Sequence, residues 1–168
     1  PINSIDSELT LEVKAYPTHL DIYNIEEYRK SIETGQLTED HIDSIKSIQI
    51  HDNITEIEEM AFRKFEALET IIFPETLKVI GAVAFGNCTS LKELRFPQGV
   101  EYIEDNAFEH CINLKTIYLP DALKYVGEEA FKDCPNIYNV YFRWSNNLRD
   151  VIFSDGNDDL LAVGFSNY

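Results

Sequence analysis

ITEIEEMAFRKFEALETIIFPET (54–76), LKVIGAVAFGNCTSLKELRFPQG (77–99), VEYIEDNAFEHCINLKTIYLPDA (100–122) and LKYVGEEAFKDCPNIYNVYFRWS (123–145) lie end to end, each 23 residues long. One skeleton runs through all four: an aliphatic pair such as Leu77 and Ile80, then Ala-Phe, then a cysteine slot, then an L-x-x-L-x-F run closing on Pro. The Ala-Phe pairs are Ala61-Phe62, Ala84-Phe85, Ala107-Phe108 and Ala130-Phe131. A small and a large apolar residue that recur in one register stack into internal ladders when the copies pile up. A single copy has nothing to bury them against; four in tandem exceed the about three repeats a stable stack needs.

Within a copy, Leu91, Leu94 and Phe96 alternate like a short strand, and neighbouring copies pair with it in parallel. The column Pro74, Pro97 and Pro120 marks the strand ends, because proline has no N–H to donate to a ladder. Glu58-Glu59, Glu104-Asp105 and Glu128-Glu129 precede Ala-Phe and suit the first turn of a short helix. Each copy therefore predicts strand, bend and helical turn.

The pattern I-G-x-x-A-F-x-x-C-x-x-L-x-x-I-x-L-P resembles the BspA-like, or Treponema-type, leucine-rich repeat. Ile80-Gly81, Ala84-Phe85, Cys88, Leu91, Leu94, Phe96 and Pro97 match it position by position, and the likeness covers residues 54–142. The resemblance implies an α/β repeat solenoid: a curved leucine-rich repeat stack with parallel strands, here four full 23-residue repeats plus caps. It also implies recognition through the strand side, and proteins secreted or displayed by bacteria and some protists.

The flanks are degenerate. In 42–53 the strand half of a repeat survives, with Ile42, Ile45, Ile48 and Ile50 in the apolar columns and His51 at the Pro position, while Thr38-Glu39 replaces Ala-Phe. Upstream, Asn24 followed by IEEYRKSIETG predicts a capped helix stopping at Gly35, and TLEVKAY (10–16) a strand. Residues 1–41 are thus expected to form an N-terminal cap, 42–53 a half repeat, 54–145 the four repeats and 146–168 a C-terminal cap. In the last, DVIFSDGNDDLLAVGF predicts two strands around an Asp-Gly-Asn turn.

Composition narrows the partners. With 30 acidic against 14 basic residues and a net charge of −16, the chain repels a phosphate backbone or an anionic bilayer, which argues against nucleic acid and membrane insertion. No apolar run approaches the roughly 18 residues of a membrane span, and Pro1 to Thr10 lack the regions of a signal peptide. A water-soluble chain is expected.

No pattern for catalysis emerges. The column of Cys88, Cys111 and Cys134 holds Phe65 in the first copy and Ile42 in the degenerate one, which marks a buried apolar slot; no C-x-x-C pair exists. Adjacent columns in a parallel stack lie within disulfide reach, so bridging stays open. His19, His41, His51 and His110 occupy unrelated repeat positions and are expected at the surface. Asp155, Asn157 and Asp159 imitate a calcium loop, but Leu160 stands where that loop needs Gly, so a plain turn is favoured. The seven glycines form no phosphate-binding motif. The expectation is a non-enzyme with no catalytic residues, metal or cofactor.

Positions between the apolar ladders point outward. The strand side presents three columns: Lys46, Glu69, Lys92, Lys115, Tyr138; Ser47, Thr70, Glu93, Thr116, Asn139; and Gln49, Ile72, Arg95, Tyr118, Tyr141. Here Lys46, Lys92, Lys115 and Arg95 outnumber Glu69 and Glu93, so the strip is mildly basic on an acidic body. Tyr, Trp and Arg are the residues enriched at binding hot spots. Ile72, Lys92, Arg95, Lys115, Tyr118, Tyr138, Tyr141, Arg143 and Trp144 are therefore the expected contacts for a protein partner, and tyrosines stacked purely to stabilise the sheet are the competing reading. A flanking column of Glu56, Val79, Tyr102 and Tyr125 widens the patch if the bend sets it beside the strands. Two other functions fit the sequence: an acidic inhibitor or immunity-type protein that neutralises a basic toxin or enzyme through the helical-turn side, or a structural fragment of a surface adhesin.

Overall fold

The computed structural model describes residues 17–143, 152–162 and 166–167. In chain order the elements are β1 (His19–Ile22), α1 (Ile25–Glu33), α2 (Glu39–Ile42), β2 (Ser47–Ile50), β3 (Glu56–Ile57), β4 (Thr70–Ile72), β5 (Val79–Ile80), β6 (Glu93–Arg95), β7 (Tyr102–Ile103), β8 (Thr116–Tyr118), β9 (Tyr125–Val126), β10 (Asn139–Phe142), β11 (Ile152–Phe153), α3 (Asp158–Ala162) and β12 (Ser166–Asn167). Each copy closes one three-sided coil. Its first side holds a strand of the ladders β1-β2-β4 and β6-β8-β10-β12, and its second side a strand of β3-β5-β7-β9-β11, with parallel pairing throughout. This is the parallel-strand solenoid implied by the repeat.

The third side differs from the expected helical turn. Met60, Val83, Asn106 and Glu129 in one column, and Lys64, Asn87, His110 and Asp133 in another, all have φ between 54° and 65°. A left-handed residue every fourth position breaks a helical path, so N–H groups that a helix would use internally reach the next coil. Phe62 N–H donates to Ala84 O, Phe85 to Ala107 and Phe108 to Ala130, each at 2.8 Å. Lys64, Asn87 and His110 donate to Gly86, Glu109 and Lys132 at the same distance. The third side is thus itself a hydrogen-bonded ladder, and α-helix among the described residues is confined to the degenerate ends.

Inside, Phe62, Phe85, Phe108 and Phe131 are fully buried and stack at successive centroid distances of 5.2, 5.3 and 5.3 Å. Phe73 and Phe96 form a second stack at 5.8 Å and meet Phe85 and Phe108 edge-on. Each buried ring contributes roughly 1.5–3 kcal/mol from burial alone. Gly81 and Gly127 sit where coils come closest: a Cβ on Gly127 would lie 2.5 Å from Asp105 N and 2.6 Å from the Glu104 carbonyl carbon.

Both ends are closed by side chains that imitate a missing coil. Helix α1 begins at Asn24, whose Oδ1 accepts from the Glu26 and Glu27 N–H groups at 2.8 and 3.2 Å, and Gly35 follows its end at φ 71°. It delivers Tyr28 onto the first rung, 5.0 Å from the Phe62 ring, with its hydroxyl donating to Ala61 O at 2.6 Å. The expected strand at 10–16 lies outside the described residues.

At the other end β11 pairs with β9, and the turn at Gly156 (φ 80°) follows. The second expected strand is instead α3; a strand returns only at β12. The reason is Asn157, buried with 1% exposure: its Oδ1 accepts from Phe131 N–H at 3.1 Å, and its amide donates to Gly127 O and Ser154 O. It supplies the acceptor that the next coil's backbone would have provided, and the chain then turns helical to bury Leu160.

Two stability consequences follow from these contacts. Gly127→Ala forces a methyl into backbone atoms and costs about 1–3 kcal/mol, whereas Gly99→Ala, whose Cβ meets chiefly the flexible Lys78 ammonium, changes stability by no more than about 0.5 kcal/mol. Val83→Asn places at φ 56° the residue type that Asn106 already supplies in that column, and raises stability by about 0.5–1 kcal/mol by relieving a β-branched residue in the left-handed region. Urea unfolding of the variants beside the parent checks both signs.

Candidate functional site

Because β4, β6, β8 and β10 present every second side chain outward, the first side carries the three columns read from the repeat. Ile72 (57% exposed) and Tyr138 (59%) stand clear of the surface. Arg95, Tyr118 and Tyr141 are in register on adjacent strands. The Arg95 guanidinium lies 3.7 Å from the Tyr118 ring centre, and Tyr118 stacks on Tyr141 at 5.0 Å with planes 22° apart. Cation–π and aromatic stacking of this kind fix long side chains that are otherwise mobile.

Charges on this side pair within it. Lys92 Nζ meets Glu69 Oε2 at 2.6 Å, and that hydrogen bond holds the Glu69 carboxyl below its ordinary value. Arg95 is paired with Glu93. Lys46 and Lys115 supply the remaining positive charge, and Lys115 neighbours Tyr138, whose N–H donates to its carbonyl at 3.1 Å.

One expected member separates from the strip. Arg143 turns to the corner between the first and second sides, 3.4 Å from Asp121 Oδ2, and Trp144 lies outside the described residues. The flanking column Glu56, Val79, Tyr102 and Tyr125 does not widen the patch: it lies on the second-side sheet, where Tyr125 accepts a hydrogen bond from Ser154 Oγ at 3.2 Å. It forms a strip of its own.

One cluster escaped the sequence. Parallel pairing of β1 with β2 sets His19 opposite Ser47, 28 residues away, with Nδ1 and Oγ 2.7 Å apart. Asp21 stands between two imidazoles, with Oδ2 3.5 Å from His19 Nε2 and Oδ1 2.8 Å from His51 Nε2. The bond from His51, helped by the charges of both imidazoles, holds the Asp21 carboxyl below its ordinary value against desolvation. His51 in turn stacks on Tyr23, centroids 3.9 Å apart. The offset of this pairing differs from the repeat period, so no alignment of copies reveals it.

Part of the acidic turn side is engaged with its own neighbours: Glu58 with Arg29, Glu129 with Lys132, and Asp105 Oδ1 with the Glu128 N–H. Asn157 is turned inward with its amide committed, which leaves the Asp155–Asp159 turn without that ligand for a cation. Among the described residues no group of three or more His, Cys, Asp or Glu side chains is arranged to hold a metal ion.

Cys88, Cys111 and Cys134 are fully buried thiols, none in a disulfide. They donate to Phe62, Phe85 and Phe108 carbonyls at 3.3, 3.4 and 3.2 Å. Burial pushes the Cys88 thiol up to about 12. Near neutral pH the folded protein therefore reacts negligibly with a thiol-alkylating reagent, and all three cysteines react together once denaturant unfolds it; mass spectrometry at timed quenches checks this.

The sequence pattern of the BspA type leucine rich repeat region matches residues 36–158 in six copies, so it reaches beyond the four full repeats into the degenerate turns at both ends. No curated protein sequence matches the chain. Among solved structures, a leucine rich cell surface protein of Faecalibacterium prausnitzii A2-165 is similar at 27% identity and TM-score 0.59, over 66% of this chain and 29% of that one. A leucine-rich repeat protein of Bacteroides ovatus ATCC 8483 is similar at 26% and 0.58, over 68% and 31%. The Treponema pallidum leucine rich repeat protein is similar at 26% and 0.57, over 68% and 57%. The matched part thus spans less than two thirds of each of these proteins. With the 23-residue ladders, the parallel sheets and this match in agreement, the chain belongs to the BspA-type leucine-rich repeat family.

Proposed function

We propose that the chain is a protein-binding module that contacts its partner through the first side of the solenoid. The observation that carries this is the ordered Arg95–Tyr118–Tyr141 stack, flanked by exposed Ile72, Lys92, Lys115 and Tyr138. Rings already fixed by stacking lose little side-chain entropy on binding, the condition under which aromatic contacts add most to affinity. In this reading Trp144 extends the contact toward the C-terminal end, while Arg143 is turned away to Asp121. The shallow, ladder-built surface suits a macromolecule better than a small substrate, and no catalytic role is assigned to it.

The similarity to a protein described as a cell surface protein supports a place outside the cell, and the short span relative to that protein supports the module being one segment of a longer surface chain. No helix among the described residues is long and apolar enough to cross a membrane. The alternative of an inhibitor acting through its acidic side would rest on Glu104 and Glu128, since Asp105 and Glu129 are engaged by the Glu128 N–H and Lys132.

The test compares the parent with Tyr118→Ala/Tyr141→Ala as immobilised baits. The double variant is expected to bind the retained partner at least about tenfold more weakly, with its thermal unfolding still cooperative. Equal binding by both would refute the first-side assignment.

A further inference from the structure

A groove of about 520 Å³ opens at the N-terminal shoulder of the solenoid, between the first turn of α1 and the chain entering β3. It shares no residue with the first-side strip, and its volume falls in the range of small-molecule sites. Its wall includes Tyr23, 66% exposed yet held in one plane by stacking on His51, which Asp21 fixes in turn. The His19–Asp21–His51 network thus has a physical consequence: it makes an exposed phenol ring rigid.

Around that ring stand Asn24, Asn53, Thr55, Glu26 and Glu56. The Asn24 Oδ1 is spent on capping α1, which leaves its amide donors for the groove. Among the described residues the side chains of Asn53, Thr55, Glu26 and Glu56 make no hydrogen bond or ion pair. Asn53 sits at a left-handed turn position, φ 79°, with its side chain exposed beside the groove. A flat apolar ring beside mixed donors and acceptors matches one chemical class well: a pyranose presents a C–H face to the ring and, at its rim, hydroxyls that both donate and accept.

We propose that this groove is a carbohydrate-binding site, with Tyr23 as the platform and Asn53, Glu26 and Glu56 as the hydroxyl partners. It is separate from the protein-binding reading of the first side, and either one can fail while the other stands.

The experiment titrates the full chain with three neutral trisaccharides, cellotriose, laminaritriose and chitotriose, followed by amide chemical shifts and calorimetry. At least one is expected to bind, independently of salt. Tyr23→Ala, and Asn53→Gly, which keeps the left-handed turn, should each weaken it at least about tenfold with the melting temperature unchanged, while Tyr118→Ala/Tyr141→Ala binds as the parent does. The proposal is overturned if none of the three binds, if Tyr23→Ala binds like the parent, or if the first-side variant loses the sugar.

Discussion

The hydrogen bonds between coils on the third side are the constraint on which the rest depends. Each coil passes through left-handed residues there, and its N–H groups alternate between turn bonds within the coil and bonds to the next coil. For every second N–H, such as those of Met60, Phe62 and Lys64, the next coil in one register supplies the carbonyl at 2.8–2.9 Å. A buried N–H left unpaired costs about 1–3 kcal/mol, so slippage by a single residue would strand these alternate N–H groups along the whole side at once. That register places Phe over Phe and thiol over carbonyl, and requires Gly127 where Asp105 approaches most closely.

The same register governs the surface. Residues one period apart become neighbours across a strand pair, so Arg95, Tyr118 and Tyr141 meet although nothing local in the sequence joins them. A solenoid converts sequence columns into continuous strips, and chemistry can drift along a strip without disturbing the core behind it. Here it drifts from Ile72 through Arg95 to two tyrosines, while the second side carries its own column of Val79, Tyr102 and Tyr125.

The ends obey a different rule, since a ladder must stop somewhere without exposing its last rung. Tyr28 donates to Ala61 O and covers Phe62; Asn157 accepts from Phe131 N–H and donates to Gly127 O. Departure from the repeat at the N-terminal end also leaves a concavity, between the first turn of α1 and the chain entering β3. The strips are nearly flat, and the groove beside Tyr23 exists because the period fails there.

How much was legible in the sequence follows from these distinctions. The 23-residue period determined the solenoid, the inward ladders of Phe85 and Cys88, and the three outward columns, because each is a property of one coil repeated. The Asn24 cap and the Gly35 stop were legible for the same reason: they are local backbone chemistry. Only the tertiary structure decided that the acidic segment forms left-handed turns instead of a helix, since the competing bonds come from the next coil. It alone placed Tyr102 and Tyr125 on a separate sheet, turned Arg143 to Asp121, and joined His19, Asp21, Ser47 and His51 across an off-period pairing. A periodic pattern specifies what lies above what, whereas the angle at a corner and the fit of an irregular end are set by contacts between segments that share no pattern.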